Sequence, residues 1–282
     1  MRRILLPTDF SDNSWNAIFS ALKMFGAEGC HFYLLNVFKV SPINLSRTLG
    51  EERSGMLFDS AAKGSQEQLD RMLEYLKKHH QQSKHVFESI SKFEDISKAV
   101  TETVKEKQID LVVMGTNGAT GAKAVFIGST TVKVLKVMRS CPILVIPSAH
   151  DFKSLKHVVF PTDFKRFYNR SELVPLIDLI LQWNSNIRIF HVAQELHLDE
   201  IQKYNKETLK KHFRDLQYTF HKVDIHTTVE DAISNFVEES NSDMVALIHY
   251  KHSFLQNLTQ EPVIKKVAFH TKVPMLVLPE LE

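Results

Sequence analysis

Two glycine clusters stand nine residues apart, Gly115-Thr116-Asn117-Gly118 and Gly128-Ser129-Thr130-Thr131. Glycines at 115 and 118 let an anion approach the backbone closely, because no Cβ stands in the way. Gly128-Ser129 opens a helical pattern through Val132, Leu135 and Val137. The unbonded N–H groups and dipole of such a helix start favour phosphate. The hydroxyls of Ser129 and Thr130 add donors, and Lys123 adds a positive charge. The chemistry implied is capture of a phosphate-like anion, although the same residues also suit a turn followed by a helix start. With no GxxxxGK[ST] and no GxG anywhere in the chain, the P-loop and dinucleotide fingerprints are set aside.

A second candidate is the turn Pro7-Thr8-Asp9-Phe10-Ser11 after the apolar run Ile4 to Leu6. Asp9 fits a cap of the following helix, a role compatible with ligand contact, and Thr8 reads first as a cap. No general base or activated nucleophile announces itself, which points to binding rather than turnover. Nine of the fourteen histidines fall after residue 155, yet no HxxxH pair on a helix suggests a metal, so they read as surface or core residues.

The elements that must position these groups alternate. Strand candidates in the first half are Arg3 to Leu6, Phe32 to Val37, Val86 to Ile90, Asp110 to Met114 and Ile143 to Ile146. Their continuous apolar character suits strands covered on both faces of a parallel sheet. Between them run the helical stripes Trp15, Ile18, Phe19, Leu22, Phe25, then Leu69, Met72, Leu73, Leu76, then Ile96, Val100, Val104. Ser11 is the cap candidate of the first stripe and Gly26 its C′ residue. The stretch from Phe38 to Gly64 follows the second strand at the presumed ligand edge and reads either as a lid or as an ordinary surface excursion.

The pattern then repeats. Ile4-Leu5-Leu6-Pro7-Thr8-Asp9-Phe10 recurs as Val158-Val159-Phe160-Pro161-Thr162-Asp163-Phe164, and Pro142-Ile143-Leu144-Val145-Ile146-Pro147 as Pro274-Met275-Leu276-Val277-Leu278-Pro279. Second-half strands are expected at Val158 to Phe160, Ile187 to Val192, Lys222 to His226, Asp243 to Ile248 and Met275 to Leu278. Two matches at corresponding ends argue for duplication, with domains at 1–147 and 155–282 and a polar boundary from Ser148 to Ser154. The fold expected is α/β: two tandem doubly wound domains, each a parallel sheet with helices on both faces.

All nine glycines lie between Gly26 and Gly128, so the second half lacks the anion cradle. Ile248 and Lys251 occupy the places of Gly115 and Gly118, and Gln260-Glu261 those of Gly128-Ser129. Glu261 sets a negative charge where phosphate would rest. One nucleotide site per chain is therefore expected.

Composition excludes several classes. With 35 Lys+Arg against 33 Asp+Glu, a net charge of +2 and no basic block, nucleic acid is not an expected partner. No apolar run approaches the ~18 residues of a membrane span, and Asp9, Ser11 and Asp12 interrupt any signal-like core, so a cytoplasmic location is expected. Cys30 and Cys141 have no metal or redox spacing and read as buried thiols.

Together, Pro-Thr-Asp-Phe-Ser after the first strand, Leu-Leu-Asn-Val ending the second, the G-x2-G-x9-G-S segment and Cys-Pro-Ile-Leu-Val-Ile-Pro resemble the universal stress protein family in its tandem form. The resemblance implies a five-stranded parallel sheet of order 3-2-1-4-5 with ATP at its C-terminal edge. It assigns Pro7, Thr8 and Asp9 to the site, with Asp9 on ribose or on a phosphate-bound Mg²⁺, and the backbone of Val37 on the adenine edge. Met114, Gly115, Gly118, Gly128, Ser129 and Thr130 would line ribose and phosphates. Asn36 departs from the histidine the family commonly has before that valine. The resemblance further implies pairing through the last strands, Ile143 to Ile146 against Met275 to Leu278 within one chain, and leaves a further homodimer open. A regulatory ATP-binding protein is the leading reading; a slow Mg-dependent ATP hydrolase and a nucleotide-free, chaperone-like pseudo-dimer are the alternatives.

Overall fold

A computed structural model of the chain describes residues 1–39, 51–81, 84–116, 128–193, 197–224, 229–249 and 272–280. Among these residues ten strands form one sheet: β1 (Arg2–Pro7), β2 (Cys30–Phe38), β3 (Val86–Phe93), β4 (Leu111–Gly115), β5 (Ile143–Ile146), β6 (His157–Thr162), β7 (Asn186–Ala193), β8 (Gln217–Asp224), β9 (Met244–His249) and β10 (Met275–Pro279). Their spatial order is β3-β2-β1-β4-β5-β10-β9-β6-β7-β8. Each half thus repeats the 3-2-1-4-5 order implied by the resemblance, with parallel neighbours throughout. The described helices are α1 (Asp12–Met24), α2 (Glu51–His79), α3 (Ile96–Lys107), α4 (Ser129–Val137), α5 (Arg170–Trp183), α6 (Glu200–His212) and α7 (Val229–Glu239). Among the described residues, no helix is long and apolar enough to cross a membrane.

Strand parity builds two cores. Ile4 and Leu6 join one with Ile18, Phe25, Leu69 and Leu76, while Leu5 on the other face joins Val100, Val104 and Leu135. Every β4 and β5 residue is buried, which is why those runs are apolar without alternation. The halves meet where β5 and β10 run antiparallel, Leu144 opposite Leu276. That contact covers two apolar strand edges. Away from the sheet, Gln182 and Trp183 donate side-chain N–H groups to the Met24 carbonyl at 3.0 and 3.1 Å. Cys30 and Cys141 are buried free thiols, pushed up by burial to about 11 and about 12, so both stay protonated at neutral pH.

Three expectations need correction. The strand placed at Lys222 to His226 begins at Gln217, because Tyr218 and Phe220 already face the core on alternate positions. The excursion from Phe38 to Gly64 is helical from Glu51 onward: α2 runs 29 residues, anchored by Leu69, Met72 and Leu76, and passes through Gly55 and Gly64 without a break. Helix propagation from that packed end outweighs ~1 kcal/mol per glycine. The helix α1 does start after Ser11, whose side chain accepts the Ser14 N–H, but Gly26 does not adopt the left-handed conformation of a C′ glycine. Its lack of a Cβ matters instead because one would lie 3.1 Å from the Leu22 carbonyl.

Candidate functional site

The first turn is built by a hydroxyl. Thr8 Oγ1 accepts the Phe10 N–H at 3.0 Å and shares a hydrogen bond with Ser14 Oγ at 2.9 Å. This side-chain turn holds Phe10 at φ 64°, a left-handed conformation rare for a bulky residue. The Thr8 N–H donates to the Leu35 carbonyl and its own carbonyl accepts from Asn36 Nδ2 at 2.7 Å, fixing the turn to β2. Asp9 is exposed, and its Oδ1 accepts from Ser11 N–H at 3.2 Å and Ser11 Oγ–H at 2.5 Å. Asp9 therefore braces the cap residue, and the helix cap itself is Ser11, correcting the assignment of capping to Asp9.

A cavity of about 220 Å³ opens beside this turn at the carboxyl ends of β1, β2 and β4. Pro7, Thr8, Asp9, Val37, Met114, Gly115 and Thr130 line it, so seven of the residues named from the sequence converge. Gly128 and Ser129 sit at the start of α4 outside the lining, Ser129 exposed; Gly118 and Lys123 lie outside the described residues.

Gly115 is required by contact rather than by conformation. A Cβ there would stand 2.2 Å from Asn13 Nδ2, so the α1 side chain rests directly on the bare backbone. Thr131 Oγ1 donates to the Gly115 carbonyl at 2.7 Å, tying α4 to the end of β4. Thr116 is 1% exposed, and its Oγ1 has no hydrogen-bond partner among the described residues. A buried hydroxyl in that state costs about 1–3 kcal/mol and is satisfied when a ligand or water reaches it. The N-cap of α4 is Gly128, which supplies no side-chain bond to the helix N-terminus.

Lys39 stands at the rim, 3.6 Å from Asp95, which caps α3 through Ser97. The Ser97 hydroxyl and N–H, then Lys39, hold the Asp95 carboxyl below its usual range. Sequence reasoning missed Asn13, Ser14, Lys39, Ile96 and Thr131 as lining residues. Asn13 and Ser14 carried a usable signal, since they open the helix that follows the first turn. Lys39 and Ile96 are brought in only by tertiary packing.

The second half keeps the turn and changes its surroundings. Thr162 Oγ1 accepts the Phe164 N–H at 3.0 Å, Phe164 sits at φ 56°, and Tyr168 takes the place of Ser14 against Thr162. Asp163 Oδ1 accepts the Lys165 N–H at 3.0 Å, a local bond within the turn. Register puts Ile248 opposite Leu278 as Gly115 lies opposite Ile146, so a side chain does stand at the position of Gly115. Next to it, His249 is buried and contacted by Arg139 Nη1 at 2.5 and 2.6 Å, an arginine from the other half. Burial, then Arg139, push the His249 imidazole down to about 4. Lys251, Gln260, Glu261, His252 and His270 lie outside the described residues.

A doubly wound α/β sheet repeated in tandem, with a pocket at the carboxyl ends of its strands, defines a class of ligand-binding architecture. Within it, the model of the universal stress protein family matches residues 1–147, and the chain belongs to that family. A universal stress protein of Methanocaldococcus jannaschii is 29% identical over 148 residues, spanning 51% of this chain and 81% of that one. The solved structure of a universal stress protein from Archaeoglobus fulgidus aligns over 99% of this chain and 96% of its own, with TM-score 0.67 and 17% identity. A putative universal stress protein from Pseudomonas aeruginosa aligns over 99% and 93%, with TM-score 0.63 and 11% identity. At those identities the two structures share the fold.

Proposed function

We propose that the chain binds an adenine nucleotide, ATP by the family resemblance, in residues 1–147, and that occupancy regulates its stress-response role. The observation that carries this reading is the cavity at the carboxyl ends of β1, β2 and β4, where Gly115 leaves room for Asn13 beside Thr8, Asp9, Val37 and Met114. The residues present fit Mg²⁺ in its usual nucleotide-borne form, since that ion takes one or two protein carboxylates plus substrate phosphates, and Asp9 lines the cavity. A regulatory module needs only different affinities in two states. The half from 155 to 282, joined through β5 and β10, serves as an intramolecular partner without a nucleotide of its own.

Mass spectrometry of ligand released from freshly purified protein is expected to find about one adenine nucleotide per chain. Stripped protein should gain about 2.7 kcal/mol from ATP at a hundred times its dissociation constant, a rise of about 5 °C in melting midpoint. A midpoint indifferent to ATP, or two nucleotides per chain, would contradict the reading.

A further inference from the structure

The two halves differ again where their second and third strands meet the helix that covers them. There, in the N-terminal half, Asn36, Ser65 and Ser91 close the space between β2, β3 and α2: Ser65 Oγ donates to Asn36 Oδ1 at 2.8 Å and lies 2.7 Å from Ser91 Oγ. Pro7 pairs with Leu35 as Pro161 pairs with Phe190, so His191 occupies the place of Asn36. Asn36 pairs with Ser91 as His191 pairs with Lys222, which puts Lys222 where Ser91 stood. The small hydrogen-bonded cluster is thus replaced by an imidazole and a cation. Its space stands open as a cavity of about 230 Å³ lined by Phe164, His191, Leu198, Phe220, Lys206 and Lys222.

We propose that this cavity is a second ligand site, for a small planar aromatic anion. Its walls are flat and apolar: Phe164 stacks on His191 at 4.9 Å and tilts against Phe220 at 6.2 Å. Its charge comes from Lys206 on α6, whose Nζ lies 4.8 Å from the Phe220 ring centre and 5.8 Å from that of Phe164. The α6 neighbours Lys203 and Lys210 are each paired at 2.6 Å, with Glu200 and Glu207. Lys206 makes no ion pair among the described residues. An ammonium held over ring faces at a partly apolar cleft is left to attract an anion. No carboxylate is among the described lining residues. His221 also lines the cavity and is held below its ordinary pKa by burial and Arg188. Gln202 Nε2 and Asn205 Nδ2 are turned to the carbonyls of Asp163 and Phe164. The second half contains no glycine, so no bare backbone cradles a triphosphate here. A ring with one carboxylate matches what is present: apolar walls for the ring and Lys206 for the charge. The site shares no residue with the first cavity.

Calorimetric titration of the full chain at low salt tests it with benzoate, its neutral isostere benzamide and the ringless anion acetate. Benzoate is expected to bind saturably at one site, with benzamide and acetate each at least about tenfold weaker, the effect of losing one charged or apolar partner. Lys206→Met keeps the apolar stem over the rings and should weaken benzoate about tenfold without moving the melting midpoint. Phe220→Leu should weaken benzoate and leave acetate unchanged. No saturable benzoate binding, equal binding of benzamide, or full benzoate affinity in Lys206→Met would each overturn the proposal.

Discussion

The turns Pro7 to Phe10 and Pro161 to Phe164 share a sequence and a shape, yet the strand beside the first ends on Gly115 where the strand beside the second carries Ile248. In both, a threonine hydroxyl accepts the N–H two residues on, and the phenylalanine sits left-handed, at φ 64° and 56°. What differs is around them. The helix α1 starts at once, at Asp12, whereas α5 waits until Arg170 behind a capping box of Asn169 and Glu172. In that longer loop Arg166 bonds the buried Glu172 at 2.5 Å and Glu280 at 2.8 Å, tying the turn to the end of β10. The Pro-Thr-Asp-Phe sequence is therefore a folding device for a strand-to-helix turn. What separates the two halves at this point is the strand residue beside the turn, Gly115 on one side and Ile248 on the other.

The sharpest way to break that contrast is to give the first half the second half's residue. Gly115→Ile places a Cβ 2.2 Å from the Asn13 amide. Asn13 is the end of a side chain and can swing aside, so the sheet survives while the cavity is filled. Calorimetry should find ATP affinity reduced at least about a hundredfold, the loss expected when about 3 kcal/mol of contact is removed. Circular dichroism should still report a folded chain. Undiminished ATP binding in a folded Gly115→Ile protein would mean the cradle lies elsewhere.

The frame of this comparison was legible in the sequence because duplication printed it twice. The doubly wound parallel class followed from alternating apolar runs and helical stripes, the strand order came only with the family resemblance, and seven of the named site residues do line one cavity. What was not legible depends on packing across distance. Asn13 against Gly115 is a contact between α1 and β4 that no local pattern encodes. The strand β8 was misplaced because its residues Gln217 to Asp224 are half polar, as suits an edge strand with one covered face. The start of α2 was not legible because its apolar stripe is confined to Leu69 through Leu76, the packed end that carries the helix back to Glu51.

A smaller effect separates the halves by pH. Arg139 reaches His249, which is buried, and the imidazole is held near 4 rather than 6.5. A depressed histidine pKa means the unfolded chain binds the proton first. Its stabilising effect is thus complete above pH 6.5 and declines as pH falls toward 4, by at most about 1.4 kcal/mol per unit. Denaturant titrations of His249→Gln should show a shallower acid loss over that window than the parent protein, with the difference vanishing above pH 7. An identical acid profile would show that His249 titrates normally and that Arg139 does not seal this half.

The least effect is expected in the helices that make the outer walls different, the 29 residues of α2 against the 13 of α6. Gly55 and Gly64 lie within α2, and a Cβ at either position meets nothing within 4 Å. Because both conformations are helical and unobstructed, alanine removes unfolded-state freedom without introducing a clash. Gly55→Ala and Gly64→Ala should each raise stability by about 0.5–1 kcal/mol, read as a rise in the urea midpoint at constant m-value. Gly64 is one residue from Ser65, which closes the N-terminal wall, so Gly64→Ala should stabilise that wall as well as the helix. If Gly64→Ala stabilises and Gly55→Ala does not, the helix is cooperative only from its packed end, and the wall that distinguishes the halves is built by its last five turns alone.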